Sequence, residues 1–276
     1  MAEGARVKIT PNVRDAVIAI AMEAGRAILP YFRQPLDVFL KKDHSPLTQA
    51  DLSAHSVLVN RLAALPFAIP VLSEESVQIP WLERKSWESY WLVDPLDGTR
   101  EFIRGSDAFC ICIALIHQGT PVFGVIQSPT DQSVWYASVG QGAYRRCVSS
   151  TQDLQLHVQA PAPSPLRVAL SHTHHKEKKS QGLLARMGEI TRIHQGSALK
   201  FCAIAEGNLD VYPRLGPTCE WDTAAGQCIV QAAGGQLYSL KTHQPFSYNQ
   251  KQSLINDSFI VVGDPHLPWS SWLSDK

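Results

Sequence analysis

The sequence predicts a mixed α/β chain in two halves, and three patterns predict it. Apolar residues recur at helical spacing near the start, short strand-like runs separated by turns occupy the middle, and strand and helix signals alternate in the last hundred or so residues. A proline-rich stretch, Ala160-Pro161-Ala162-Pro163-Ser164-Pro165, divides the last two patterns, since proline fixes φ and offers no N–H donor. The expected halves are residues 1–160, with an antiparallel sheet and most of the acids, and residues 161–276, an α/β half that closes the site. A chain of 276 residues is long enough to bury a substantial core.

Val13, Ala16, Val17, Ile20, Ala21, Ala24, Ile28 and Phe32 line one face of a first helix, with Asn12 as its expected cap. A second helix covers residues 49–65, with Leu52, Val59 and Leu62 on its buried side. Thr48-Gln49-Ala50-Asp51 reads as a capping box at its start. Asp51 therefore has two readings, a helix cap and a carboxylate that accepts a proton from water. Position in the fold must decide between them.

The strand over 68–72 ends at Ser73-Glu74-Glu75-Ser76, and the apolar run from Tyr90 to Val93 ends at Asp94-Pro95-Leu96-Asp97-Gly98-Thr99. Two strand ends in acid so close together suggest a metal site. Pro95 biases Asp94 towards an extended backbone, while Gly98 lets the chain approach a ligand and leaves amides near Thr99 free to point inward. Hard oxygens beside phosphate-sized N–H donors suit Mg²⁺. The five residues Asp94 to Gly98 are also a common turn composition, so the rest of the chain must carry the argument.

Strands over 110–116, 121–127 and 134–137, continued at 140–144 and 155–158, form an antiparallel meander. The second half reads as strand 166–170, helices 179–187 and 199–206, strand 209–212, helix 223–233, then strands 236–238 and 259–262. His172, His174 and His175 with Lys176, Lys178 and Lys179 form a polar patch. Asp222, in Glu220-Trp221-Asp222-Thr223-Ala224-Ala225-Gly226, stands where an N-cap would. A carboxylate at a helix start also offers a cation ligand beside an anion site.

Lysine plus arginine equal aspartate plus glutamate, 25 each, so the net charge is zero. That balance argues against a general binder of polymeric nucleic acid or anionic membranes, and points to a small-molecule partner. No run is long enough to span a bilayer and residues 1–11 lack the apolar core of a secretory signal. The expected location is the cytoplasm, with weak peripheral attachment at the inner face of the membrane left open, and no obligate protein partner is evident. The six cysteines, at 110, 112, 147, 202, 219 and 228, show no C-x-x-C pair and read as buried hydrophobes.

Glu74 in S-E-E-S, the block from Asp94 to Thr99 and the run from Trp221 to Gly226 together resemble, in order and spacing, the lithium-sensitive, magnesium-dependent phosphatases of the inositol monophosphatase superfamily. Thr99-Arg100-Glu101-Phe102, Gly196-Ser197-Ala198-Leu199-Lys200-Phe201-Cys202 and Tyr212-Pro213-Arg214-Leu215-Gly216-Pro217-Thr218 are similar to its bacterial 3'(2'),5'-bisphosphate nucleotidase branch. The similarity covers nearly the whole chain. Arg100, often Lys in that branch, and Ala198 depart from the pattern without touching an expected ligand.

The resemblance implies a layered α-β-α-β-α sandwich with the active site between its halves. It implies two or three Mg²⁺ ions held by Glu74, Asp94, Asp97 and the Leu96 carbonyl, with Asp222 closing the site. Gly98 and Thr99 would hold the scissile phosphate, among substrate contacts that also include Glu74, Leu96, Asp97 and Asp222. The water-activating group is either Asp51 with Thr99, or Glu74. Ser197, Lys200 and Arg214, joined by His174, would lie near a second phosphate and the ribose. The implied reaction removes the 3'-phosphate of adenosine 3',5'-bisphosphate, with the 3'-phosphosulfated nucleotide as a candidate further substrate. The alternatives are a broader inositol or sugar phosphatase and a non-catalytic nucleotide sensor; five carboxylates are more than a sensor needs.

Overall fold

The computed structural model describes residues 9–35, 37–41, 45–147, 152–170 and 178–273. The chain opens with helices α1 (Pro11–Ile28) and α2 (Gln49–Ala63), with the two-residue strands β1 (Phe39–Leu40) and β2 (Pro46–Leu47) paired between them. The cap of α1 is Thr10 rather than Asn12: the Val13 N–H donates to Thr10 Oγ1 at 3.4 Å. Pro11 takes the first helical position, where a missing N–H costs no bond. The capping box of α2 is formed as the sequence indicated.

β3 (Val71–Ser73), the short helix α3 (Trp81–Arg84), β4 (Ser89–Asp97) and α4 (Thr99–Ile103) lead into the meander. Its strands are β5 (Cys110–His117), β6 (Thr120–Gln127), β7 (Val134–Ser138), β8 (Gly142–Arg146) and β9 (Leu154–Leu156). Together β3 to β9 form a seven-stranded sheet in chain order, parallel only between β3 and β4.

The second half comprises β10 (Leu166–Leu170), α5 (Lys178–Arg186), β11 (Ile190–His194), α6 (Leu199–Ala205), β12 (Val211–Arg214), α7 (Ala224–Ala232), β13 (Gln236–Ser239) and β14 (Phe259–Val262). Its five strands run β11-β10-β12-β14-β13, parallel on both sides of β10 and antiparallel around β14. Sequence reading missed β11, an edge strand on which Arg192 and His194 interrupt the apolar pattern.

Period-two alternation builds the layers. On β5, Ile111, Ile113 and Leu115 pack with α1 and α2, whereas Cys110, Cys112, Ala114 and Ile116 pack with α6 and α7. The second sheet repeats the device: Tyr212, Phe259 and Val261 face the α6–α7 layer, while Val211, Ile260 and Val262 pack with Leu183 and Leu184 of α5 and with Trp269 and Trp272. The result is the α-β-α-β-α sandwich. α7 lies tight against the first sheet because Gly124 has no side chain; a Cβ there would come 2.7 Å from the Ala225 carbonyl oxygen. Among the described residues no helix is long and apolar enough to cross a membrane.

Candidate active site

The site begins at an irregularity in β4. Side chains alternate along a strand, so Asp94 and Asp97, three residues apart, would face opposite sides of a regular sheet. The ladder to β5 instead pairs Asp94 with Cys112 and Asp97 with Cys110, which leaves one extra residue on β4. This bulge brings both carboxylates to one side and accommodates Pro95, which cannot donate to the ladder. β4 therefore does not end at Val93 as the apolar run suggested; it continues through the bulge to Asp97. Gly98 follows at φ +100°, and a Cβ there would sit 2.9 Å from the Ala108 carbonyl oxygen.

Asp222 arrives from the other sheet's side of the molecule. Its Oδ2 accepts the Cys219 N–H at 2.8 Å in the turn that precedes α7, so it is a turn cap as well as a site residue. Asp94, Asp97 and Asp222 each place a carboxylate oxygen within 4.8 Å of the others'. The Leu96 N–H donates to Asp94 Oδ1 at 3.0 Å and holds it in orientation. Burial, reinforced by neighbouring carboxylates, pushes Asp94 and Asp222 well above the ordinary carboxyl range. Burial also lifts Asp97 to about 6, against the opposing pull of Lys200. Such a cluster is unfavourable without a counter-charge, and an all-carboxylate donor set fits a hard divalent cation.

Asp51 lies just behind this cluster and is only 2% exposed. Its Oδ2 accepts the Thr48 N–H at 2.7 Å and the Thr48 hydroxyl at 2.6 Å. Its Oδ1 is 3.1 Å from Thr99 Oγ1, which is also 3.1 Å from the Leu96 carbonyl oxygen. One carboxylate oxygen thus caps α2 and the other reaches the site. Burial raises the Asp51 pKa, partly offset by the hydrogen bonds from Thr48 and Thr99.

Glu74 and Glu75 both accept from Lys41 Nζ, at 2.5 and 2.6 Å. Burial alone would lower the Lys41 pKa, but the two carboxylates outweigh it and raise it; Glu75 is pushed up to about 7 by burial. Sequence reading gave Lys41 and Glu75 no role of their own in the site. The signal was the acidic doublet itself, which needs a counter-cation when half-buried.

Two adjoining cavities meet at Asp97, Gly98 and Asp222. One is lined by Glu74, Asp94, Leu96 and Thr99. The other is lined by Ser197, Lys200, Arg214 and Arg104, the last not singled out in the sequence, and Arg100 and Glu101 line both. Lys200 is 4% exposed, and its Nζ donates to the Ser197 carbonyl at 2.5 Å and the Gln195 carbonyl at 3.3 Å, above the Tyr212 ring. Burial lowers its pKa to about 8 in spite of Asp97 nearby. The turn it props has Ser197 at φ +53°, and the Ala198 N–H donates to Asp97 Oδ2. Arg214 donates to the Pro217 carbonyl at 3.1 Å. His174 lies outside the described residues.

Comparison with known proteins gives these features a context. The model of the inositol monophosphatase family matches residues 11–264. The chain is 37% identical over 261 residues to the 3'(2'),5'-bisphosphate nucleotidase CysQ of Aggregatibacter actinomycetemcomitans, covering 95% of this chain and 96% of that protein. It is 38% identical over 249 residues to CysQ of Escherichia coli K12, covering 90% and 98%. Among solved structures, CysQ from Bacteroides thetaiotaomicron superposes with a TM-score of 0.78 at 36% identity, covering 90% of this chain and 97% of that one.

Proposed function

The chain belongs to the inositol monophosphatase family, and from that premise we propose that it is a 3'(2'),5'-bisphosphate nucleotidase. It hydrolyses the 3'-phosphate of adenosine 3',5'-bisphosphate to AMP and phosphate. The observation that carries this reading is the continuity of the two cavities: acids that fit a hard cation line one, cations that fit a second phosphate line the other, and Asp97, Gly98 and Asp222 border both.

Glu74, Asp94, Asp97, Asp222 and the Leu96 carbonyl would hold two or three Mg²⁺ ions, residues 1–160 supplying all but Asp222. The bound metal would supply Lewis-acid stabilisation of the phosphoryl oxygens and a lowered pKa for the attacking water. The protein's own part is positioning and proton transfer. The scissile phosphate lies along Gly98 and Thr99. Water attacks phosphorus in line with the ribose 3'-oxygen, its proton passing through Thr99 Oγ1 to Asp51 Oδ1, while the P–O3' bond breaks and the departing oxygen is protonated by solvent. Asp51 is assigned as base because its Oδ1 already meets Thr99, whereas Glu74 Oε1 accepts from Lys41. Arg214 offers a guanidinium to the second phosphate. Lys200, tied to two carbonyls, adds charge and holds the turn beside Asp97, and Ser197 lines the same end.

Phosphate release from adenosine 3',5'-bisphosphate and from inositol 1-phosphate, each with Mg²⁺ and with or without lithium, tests the proposal. The expected result is a lithium-sensitive preference for the nucleotide that Arg214→Ala erodes through KM. Equal use of both substrates, unchanged in that variant, would make this a broad phosphatase.

A further inference from the structure

Directly beneath the acid cluster lies a pair of thiols. Cys110 and Cys112 sit on β5 across the ladder from Asp97 and Asp94, and are 0% and 1% exposed. Their sulfurs are 3.9 Å apart, and Cys110 Sγ is 3.8 Å from Asp97 Oδ2. All three ligand atoms lie within 4.8 Å of one another. A tetrahedral ion with metal–sulfur bonds of about 2.3 Å and a metal–oxygen bond of about 2.0 Å needs S···S about 3.8 Å and S···O about 3.5 Å. The Cys110–Cys112 and Cys110–Asp97 separations match to within a few tenths of an ångström, and the Cys112 sulfur lies within 4.8 Å of an Asp97 oxygen. A disulfide fits less well, because alternate residues of a strand have Cα atoms about 6.6 Å apart, at the far end of the bridging range.

We propose that Cys110, Cys112 and Asp97 form a site for a thiophilic divalent cation, Zn²⁺ or Cd²⁺, which competes with the hard cation for Asp97. Two metal–sulfur bonds form as the two S–H protons pass to solvent; Asp97 adds a carboxylate oxygen and water completes four-coordination. Thiolates select such ions, whereas Mg²⁺ keeps to oxygen donors. Entry is slow, because both sulfurs are buried and Asp97 Oδ2 must first release the Ala198 N–H. The competition rests on Asp97 being a ligand of the catalytic metal; the binding does not.

The test titrates the reduced full chain with Cd²⁺ in the absence of Mg²⁺, following thiolate-to-cadmium charge-transfer absorption. One ion carrying two thiolates is expected. Cys110→Ala and Cys112→Ala each halve the signal and weaken binding at least about tenfold, the loss that even outer partners of a metal ligand produce. Cys147→Ser and Cys219→Ser, at the more exposed thiols, leave it intact. If an alanine variant fails to fold, the near-isosteric valine replacement gives the same readout. Absorption that follows Cys147 or Cys219, or that persists in both strand variants, overturns the site.

In the phosphate-release assay, Cd²⁺ inhibition develops slowly and is relieved by excess Mg²⁺. Binding at the two thiols without inhibition overturns the competition at Asp97. Absence of Mg²⁺-dependent turnover on every phosphomonoester overturns the nucleotidase reading instead, with the charge-transfer signal unaffected.

Discussion

Replacing Asp51 by Asn separates its two roles. In the folded chain Oδ2 accepts two bonds from Thr48 and Oδ1 meets Thr99. An asparagine whose amide oxygen takes the Oδ2 position keeps both Thr48 bonds. Its NH₂ then faces Thr99 Oγ1, whose own proton turns to the Leu96 carbonyl at 3.1 Å. Every polar atom stays satisfied, but the group no longer accepts a proton. The stability cost is the lost charge in the first turn of α2, about 0.3–1 kcal/mol, offset by removal of a buried carboxyl with a raised pKa. Tm should therefore move by no more than about 4 °C. Loss of general-base catalysis should lower kcat about 10²- to 10⁴-fold, or about 2.7–5.4 kcal/mol in barrier height, with KM nearly unchanged. Steady-state phosphate release and thermal melting of Asp51→Asn, with Asp51→Ala as the variant that also strips the cap, give both numbers. Asp51→Asn within about threefold of the parent kcat would refute the assignment and leave Asp51 a helix cap, as its local sequence also allows.

The acid cluster makes stability depend on metal and on pH together. In metal-stripped protein Asp97 titrates near 6 against an ordinary 3.8, so the stability that protonation supplies is present below about pH 4 and is lost as pH rises through 6. Mg²⁺ at a hundred times its dissociation constant restores about 2.7 kcal/mol, and melting curves should show a larger Mg²⁺-induced rise in Tm above pH 7 than at pH 5; equal rises would count against a metal at Asp97. Gly98→Ala places a side chain at φ +100° against the Ala108 carbonyl, so it should cost about 1–3 kcal/mol and raise KM for every phosphomonoester, measured by melting and kinetics. Because the Lys200 ammonium titrates near 8, KM for the bisphosphate should climb above that pH faster than KM for a monophosphate; parallel profiles would remove Lys200 from second-phosphate recognition.

What was legible in the sequence was whatever local pattern encodes. The continuous apolar run from Cys110 to Ile116 marked a buried strand, and the Thr48–Asp51 box marked the start of α2. Acids at strand ends marked a cation site, and the residue order placed the chain in its family. Three things were decided only by tertiary structure. The bulge at Pro95 put Asp94 and Asp97 on one side, which a spacing of three in a regular strand forbids. Asp222 looked like a cap and is one, yet the close seating of α7 on the first sheet also delivers its carboxylate to Asp94 and Asp97. Lys200, expected beside a second phosphate, is buried against the carbonyls of its own turn. In each case the deciding quantity is where an atom sits relative to residues far away in the chain. Sequence spacing sets the face and the cap, but the packing of one layer on the next sets which carboxylates, amides and thiols share a few ångströms of space.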